Sequence, residues 1–263
     1  MNPLVIKIGG AIMENAAALD NLFSVLLTLQ KDRGVVIVHG GGCIVDEHLS
    51  QAGFSSDKIN GLRVSAKEHM PIISGALAGT VNKQLVAQAN SKSINAVGLA
   101  LHDGNMVHCK PADKELGQVG IPSPANADIL NSLLSSKSAK SANMLPIICS
   151  IGQLADGQLV NVNADDAAVA ISELIDGELL LLTDVAGVKG ANGEYLTSLN
   201  QQDAKQLITD GIIAGGMIAK VNAAFAAANR LRRSIAVTSW KAPEQLLTLH
   251  HGELLGTRIE PNE

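Results

Sequence analysis

Two stretches set the tightest limit on this fold: Val5-Ile6-Lys7-Ile8-Gly9-Gly10, and then Val35-Val36-Ile37-Val38-His39-Gly40-Gly41-Gly42. Each is a short apolar run that closes on glycines, and each is followed by apolar residues at helical spacing. Those residues are Leu19, Leu22, Phe23, Leu26 and Leu29 after the first run, and Ile44 to Leu49 after the second. Strand, glycine turn and helix, repeated, predict a parallel sheet built from right-handed crossovers. The composition agrees: 46% of residues are hydrophobic, yet with one Trp, one Tyr and three Phe they are mostly small aliphatics, which suit helices layered on a buried sheet.

The same reading extends along 263 residues, enough for one large or two medium domains. Asn60-Gly61 within Lys58 to Val64 signals a tight hairpin. Ser65 with Glu68 reads as a capping box opening a helical segment from Ala66 to about Ala89. Further strands are expected at Asn95–Leu101, Met106–Cys109, Leu145–Cys149, Glu178–Leu182 and Ile235–Thr238, with a closing segment at Gly256–Ile259, and helices following the stretch Asn161 to Asp165, over Asp203–Asp210 and over Met217–Leu231. Ser135 to Asn143, without periodicity, reads as a solvated connection, and a soft lobe boundary falls near residue 175.

Several function classes are excluded. A net charge of −5, no Lys/Arg-rich run and few aromatics leave no nucleic-acid footprint. Cys43, Cys109 and Cys149 are odd in number and never in a Cys-x-x-Cys pairing, so neither a disulfide framework nor a zinc site is indicated. The first strand begins near Pro3, leaving no room for a signal peptide, and no apolar run approaches the ~20 residues of a spanning helix. A cytoplasmic protein without a membrane partner is expected. No Gly-Lys dipeptide exists, so a Walker A loop is ruled out, and a dinucleotide fingerprint, a Gly-x-Ser-x-Gly elbow and His-Glu-x-x-His are also missing.

Phosphate chemistry would therefore need another glycine architecture. In a parallel sheet both glycine turns emerge at the carboxyl edge, where ligands sit in open α/β folds, and free backbone amides there make an anion site. Lys7 in a buried strand either serves that anion or snorkels to solvent. Arg63 after the hairpin either captures a carboxylate with its planar fork or is an exposed loop residue. Asn161, Asn163 and Asp165 crowd one segment; one of them caps a helix and two remain to be explained. Lys220 lies near a helix N-terminus, the unfavourable end for a cation, so either a negative charge stands nearby or solvent carries it. Asp184 is either a turn residue or a nucleotide contact.

Lys7-Ile8-Gly9-Gly10, His39-Gly40-Gly41-Gly42, Asn60-Gly61-Leu62-Arg63-Val64, Asn161-Val162-Asn163-Ala164-Asp165 and Gly216-Met217-Ile218-Ala219-Lys220, in this order, resemble the amino acid kinase family. The third and fourth point to its branch whose acceptor is N-acetyl-L-glutamate, phosphorylated in a step of arginine biosynthesis. The resemblance implies a three-layer αβα sandwich around a mainly parallel sheet, with an acceptor lobe at 1–175 and an ATP lobe at 176–263, and Mg²⁺ as cofactor. It implies Lys7 and Lys220 as the cations on the transferred phosphoryl group, with Asp165 holding both. Gly41, Gly42, Arg63 and Asn161 would bind the acceptor. Gly9, Gly10, Asp184, Val185, Ala186, Gly187, Val188, Lys189, Ile212, Ile213 and Ala214 would line the nucleotide. A homodimer insensitive to arginine is expected, since arginine-inhibited members carry a helix ahead of the first strand. One position departs from the pattern: Gly215 stands where the family usually has Asp.

Such a reaction needs no general base, because the attacking carboxylate is already ionised at neutral pH. It needs two anions aligned and the charge on the transferring group neutralised. Glutamate, aspartate, carbamate and nucleoside monophosphates are alternative acceptors within the family, and Gly215 makes a non-catalytic metabolite sensor the competing class.

Overall fold

The computed structural model describes residues 2–135, 144–251 and 255–262. Most of the connection expected between Ser135 and Asn143 lies outside the described residues. An eight-stranded sheet runs through the chain in the order Ser198–Leu199, Thr257–Ile259, Ile235–Ser239, Glu178–Thr183, Leu4–Ile8, Val35–His39, Leu145–Cys149, Ala96–Ala100. Neighbours from Ile235–Ser239 to Ala96–Ala100 are parallel, and Thr257–Ile259 joins antiparallel. The sheet crosses residue 175 without a break, Leu4 pairing with Glu178 and Lys7 with Leu181.

Alternation along the strands sorts the core into two layers. Leu4, Ile6 and Ile8 pack with Leu19, Leu22, Phe23, Leu26 and Leu29 of the helix Ala16–Leu29 and with Leu85 and Ala89. Val5, Val36, Val38 and Ile148 face the other way, onto Ala167, Ala170 and Ile171 of the helix Ala164–Leu174 and onto Val221, Ala224 and Phe225 of the helix Gly216–Leu231. The result is the three-layer αβα sandwich with a mainly parallel sheet.

Some local readings change. The hairpin forms as expected, Asn60 at φ 51° and Gly61 at φ 82° joining Lys58–Ile59 to Leu62–Arg63. The capping box does not. Ser65 is fully buried, its hydroxyl donates to the Arg63 carbonyl (3.2 Å), and the following helix has no side-chain cap. After a short 3-10 turn, one unbroken helical run covers Met70 to Ser91, with a π-helical middle at Gly75–Val81. Met106–Cys109 was expected as a strand; the strand found, Val107–Pro111, pairs with Gly120–Pro124, which its prolines concealed in the sequence.

Candidate active site

Lys7 shares its strand face with Val5, so it points toward the helix Ala164–Leu174. That helix is capped by Asn163, whose Oδ1 accepts from the amides of Asp165 (2.8 Å) and Asp166 (3.3 Å). The cap places Asp165 in the first turn, the end of the helix dipole that favours a carboxylate, and its Oδ1 lies 2.9 Å from Lys7 Nζ. Lys220, in the second turn of Gly216–Leu231, pairs with Asp184, the residue after the strand Glu178–Thr183. This corrects the expectation that Asp165 anchors both lysines: each ammonium has its own acid, because Lys220 stands beside the strand end that carries Asp184. Both lysines and both acids line one cavity of about 320 Å³.

The two pairs differ in shielding. The side chains of Lys7 and Asp165 are 19% and 34% exposed, those of Lys220 and Asp184 43% and 51%. Water screens the second pair more, so an incoming anion displaces it at lower cost. The hydrogen bond from Lys220 holds the Asp184 carboxyl below the usual carboxylate range.

Gly9, Gly10, Val185 and Val188 line this cavity with Asp184, as expected, and so do Thr183, Met217 and Trp240, which no sequence pattern singled out. Ala186, Gly187, Lys189, Ile212, Ile213 and Ala214 are not on its wall. Gly187 packs on Thr257, whose Oγ1 also accepts from the Val188 amide (2.8 Å). Lys189 lies 5.5 Å over the Tyr195 ring, and Ile213 is buried in the core. Gly215 caps the Lys220 helix at φ 56°, ψ −135°, with open space where a Cβ would stand; an L side chain there would be strained.

A second cavity, about 210 Å³, is lined by Gly40, Gly41, Gly42, Arg63 and Asn161 among others. Arg63 is buried, which rules out the exposed-loop reading. Its Nη2 donates to the Gly42 carbonyl (2.9 Å), and its Nη1 bonds Asp46 and Ser56. Hydrogen bonding to Arg63 keeps the Asp46 carboxyl below its ordinary range. Asn161 Nδ2 donates to Ser65 Oγ (3.1 Å). Asp46 and Ser56 escaped the sequence reading, and Ser65 entered it only as a helix cap. The one usable signal was that a buried guanidinium needs a counter-charge.

The cavities are neighbours. Asn161 to Ala164 wall the second, and Asp165 walls the first. The two glycine turns also approach each other, a Cβ on Gly10 falling 3.1 Å from Cys43 Sγ at the start of the helix Gly42–Gln51. Lys7 and the capped start of Ala164–Leu174 thus stand where the two cavities adjoin.

Comparison with known proteins bears on the family and the fold. The chain is 58% identical over 262 residues to an acetylglutamate kinase of Colwellia psychrerythraea, covering 100% of this chain and 98% of that one. It is 48% identical to an acetylglutamate kinase of Pasteurella multocida, covering 99% and 100%. Among solved structures, the Streptococcus mutans protein smu.665 superposes with a TM-score of 0.78 at 27% identity, covering 98% of each chain. An N-acetylglutamate synthase of Neisseria gonorrhoeae, complexed with coenzyme A and N-acetylglutamate, shares the fold at a TM-score of 0.79 and 21% identity, over 100% of this chain and 60% of that one. The family model of the amino acid kinases matches residues 2–239, and the chain belongs to the amino acid kinase family.

Proposed function

We propose that this protein transfers the γ-phosphoryl group of ATP to the side-chain carboxylate of N-acetyl-L-glutamate, giving N-acetyl-L-glutamyl 5-phosphate for arginine biosynthesis. The observation that carries this reading is the pair of lysines on one cavity wall, with a buried arginine in the cavity next to it. Full-length identity of 46–58% to acetylglutamate kinases supports the acceptor.

In this reading the two cavities divide the work. ATP occupies the larger one, its base and ribose against the aliphatic wall and Trp240, its phosphates at Gly9, Gly10 and the two lysines. The acceptor occupies the smaller one, a carboxylate on Arg63 and the rest against Asn161 and the amides of Gly41 and Gly42. Lys7 and Lys220 then neutralise the equatorial oxygens of the migrating group, which is where charge must be balanced in such a transfer. The attacking oxygen needs no base. The acceptor lobe is 1–175 and the nucleotide lobe 176–263.

Mg²⁺ fits this site as a companion of the nucleotide. Such ions keep most of their ligands from phosphate and water, and among the described residues no three metal-binding side chains cluster. Asp184, half exposed on the cavity wall, is the carboxylate that would hold it; bound there, Mg²⁺ supplies positive charge to the phosphates. A cytosolic homodimer insensitive to arginine completes the proposal. The three free cysteines suit a reducing compartment, and among the described residues no helix is long and apolar enough to cross a membrane.

The test is ADP release with acetylglutamate, glutamate, aspartate and carbamate offered in turn. Turnover with acetylglutamate alone is expected. Tight acceptor binding without turnover would identify a sensor instead, and hexamers or inhibition by arginine would overturn the assembly.

A further inference from the structure

His39 ends the second strand and touches neither cavity, yet it is fully buried, as is Asn82 beside it. Their hydrogen bonds can be assigned without ambiguity. Lys83 Nζ, a group that only donates, lies 3.1 Å from Asn82 Oδ1 and so fixes that atom as the amide oxygen. Asn82 Nδ2 lies 2.8 Å from the Ile147 carbonyl, which only accepts, and 3.0 Å from His39 Nε2. The amide therefore donates to Nε2, and Nε2 carries no proton. The imidazole proton sits on Nδ1, 2.8 Å from the Gly40 carbonyl.

That carbonyl belongs to the peptide whose N–H is Gly41's. In a trans peptide the two point opposite ways, so a proton on Nδ1 pulling the Gly40 oxygen inward turns the Gly41 N–H outward. Among the described residues this N–H has no hydrogen-bond acceptor. The π-helical run explains how Asn82 arrives. An i→i+5 ladder brings Asn82 over Leu77, so Asn82 reaches His39 while Leu77 and Val81 close on Gly41, where a Cβ would meet them at 2.9 and 3.1 Å.

We propose that Asn82 and His39 are positioning residues for the acceptor: together they lock the His39 tautomer that aims the Gly41 amide at the acceptor's carboxylate. The proposal rests on the smaller cavity being the acceptor site. Burial keeps His39 neutral, with a pKa lowered to about 4, so in the native protein the lock holds at neutral pH.

The sharpest test is Asn82→Asp, which keeps the shape and removes the donor. A neutral His39 facing that carboxylate must move its proton to Nε2, stripping the Gly40 carbonyl of its donor; a protonated His39 keeps both bonds. For Asn82→Asp we expect the KM for acetylglutamate to rise at least about tenfold as pH increases through the His39 titration, with the KM for ATP within about twofold and the wild type flat over the same range. A KM ratio between variant and wild type that does not change with pH, or equal effects on both substrates, would overturn the proposal. Nitrogen-15 NMR of His39 in the wild type gives a readout that needs no variant to fold: the Nδ1–H tautomer at neutral pH is expected, and the Nε2–H tautomer would overturn it. Wild-type protein that turns over no acetylglutamate would refute the proposed function instead, and the tautomer measurement would still stand.

Discussion

The two cavities share the start of one helix but hold their charges differently. On the larger side the cations are Lys7 and Lys220, each on a partly exposed aspartate, against a wall of Leu, Val and Met. On the smaller side the cation is a buried Arg63, tied to Asp46, Ser56 and the Gly42 carbonyl before any ligand arrives. Lysines on flexible stems can leave a solvent-screened acid and follow a moving phosphate. A guanidinium fixed in its fork cannot, and it reads one carboxylate geometry. In the proposed reaction the first arrangement serves turnover and the second serves selection.

Replacing the mobile cations tests the first half of that contrast most severely. Lys7→Ala or Lys220→Ala is expected to lower kcat by about 10²–10³-fold, as for other preorganised charge stabilisers, with a smaller change in the KM for acetylglutamate; steady-state kinetics with each substrate varied decides it. A loss confined to KM would mean the lysines only bind.

Acid should strike the two sides unequally. Burial first, with the nearby Lys83 charge adding, lowers the His39 pKa from 6.5 to about 4. The unfolded chain then binds more protons than the folded one between these values, so His39 contributes nothing to the pH dependence above about 6.5 and costs stability as pH falls toward 4. The full cost is on the order of 3 kcal/mol. Urea unfolding at several pH values should show this slope in the wild type and lose it in His39→Asn. Hydrogen exchange at low pH should open the Gly40 turn before the Lys220 helix.

The counter-charges make a matched pair of smaller effects. Asp46→Asn leaves Arg63 buried with less compensation and should cost about 2 kcal/mol, along with a weaker acceptor KM. Asp184→Asn breaks a pair that solvent already screens and should cost under about 1 kcal/mol. Thermal unfolding of both variants measures the difference, and equal costs would erase the distinction between the two sides.

Much of this was legible beforehand where one kind of residue dominates a short window. The short aliphatic runs of Leu4–Ile8 and Val35–His39 and the Asn60-Gly61 turn report local physics, and they placed the sheet and the hairpin correctly; a helix cap was legible among Asn161, Asn163 and Asp165, and the structure selects Asn163. Ser65 misled because Ser and Glu at capping-box spacing are read without knowing burial, and its hydroxyl is used by Arg63 and Asn161. Lys220 was left between a nearby acid and solvent, the resemblance implied Asp165 as its partner, and sequence distance does not reveal that Asp184 is the acid it meets.

By itself, then, the order of residues determined the layers: which strands are buried, which faces are apolar, and that two glycine turns emerge at the carboxyl edge of a parallel sheet. Those follow from side-chain periodicity and backbone freedom, which act over a few residues. Tertiary structure alone decided which acid meets which lysine, that Arg63 is enclosed, and that Asn82 sets the proton on His39. These depend on distances between segments far apart in the chain and on the loss of water around them, and neither quantity exists until the sheet has closed over its helices.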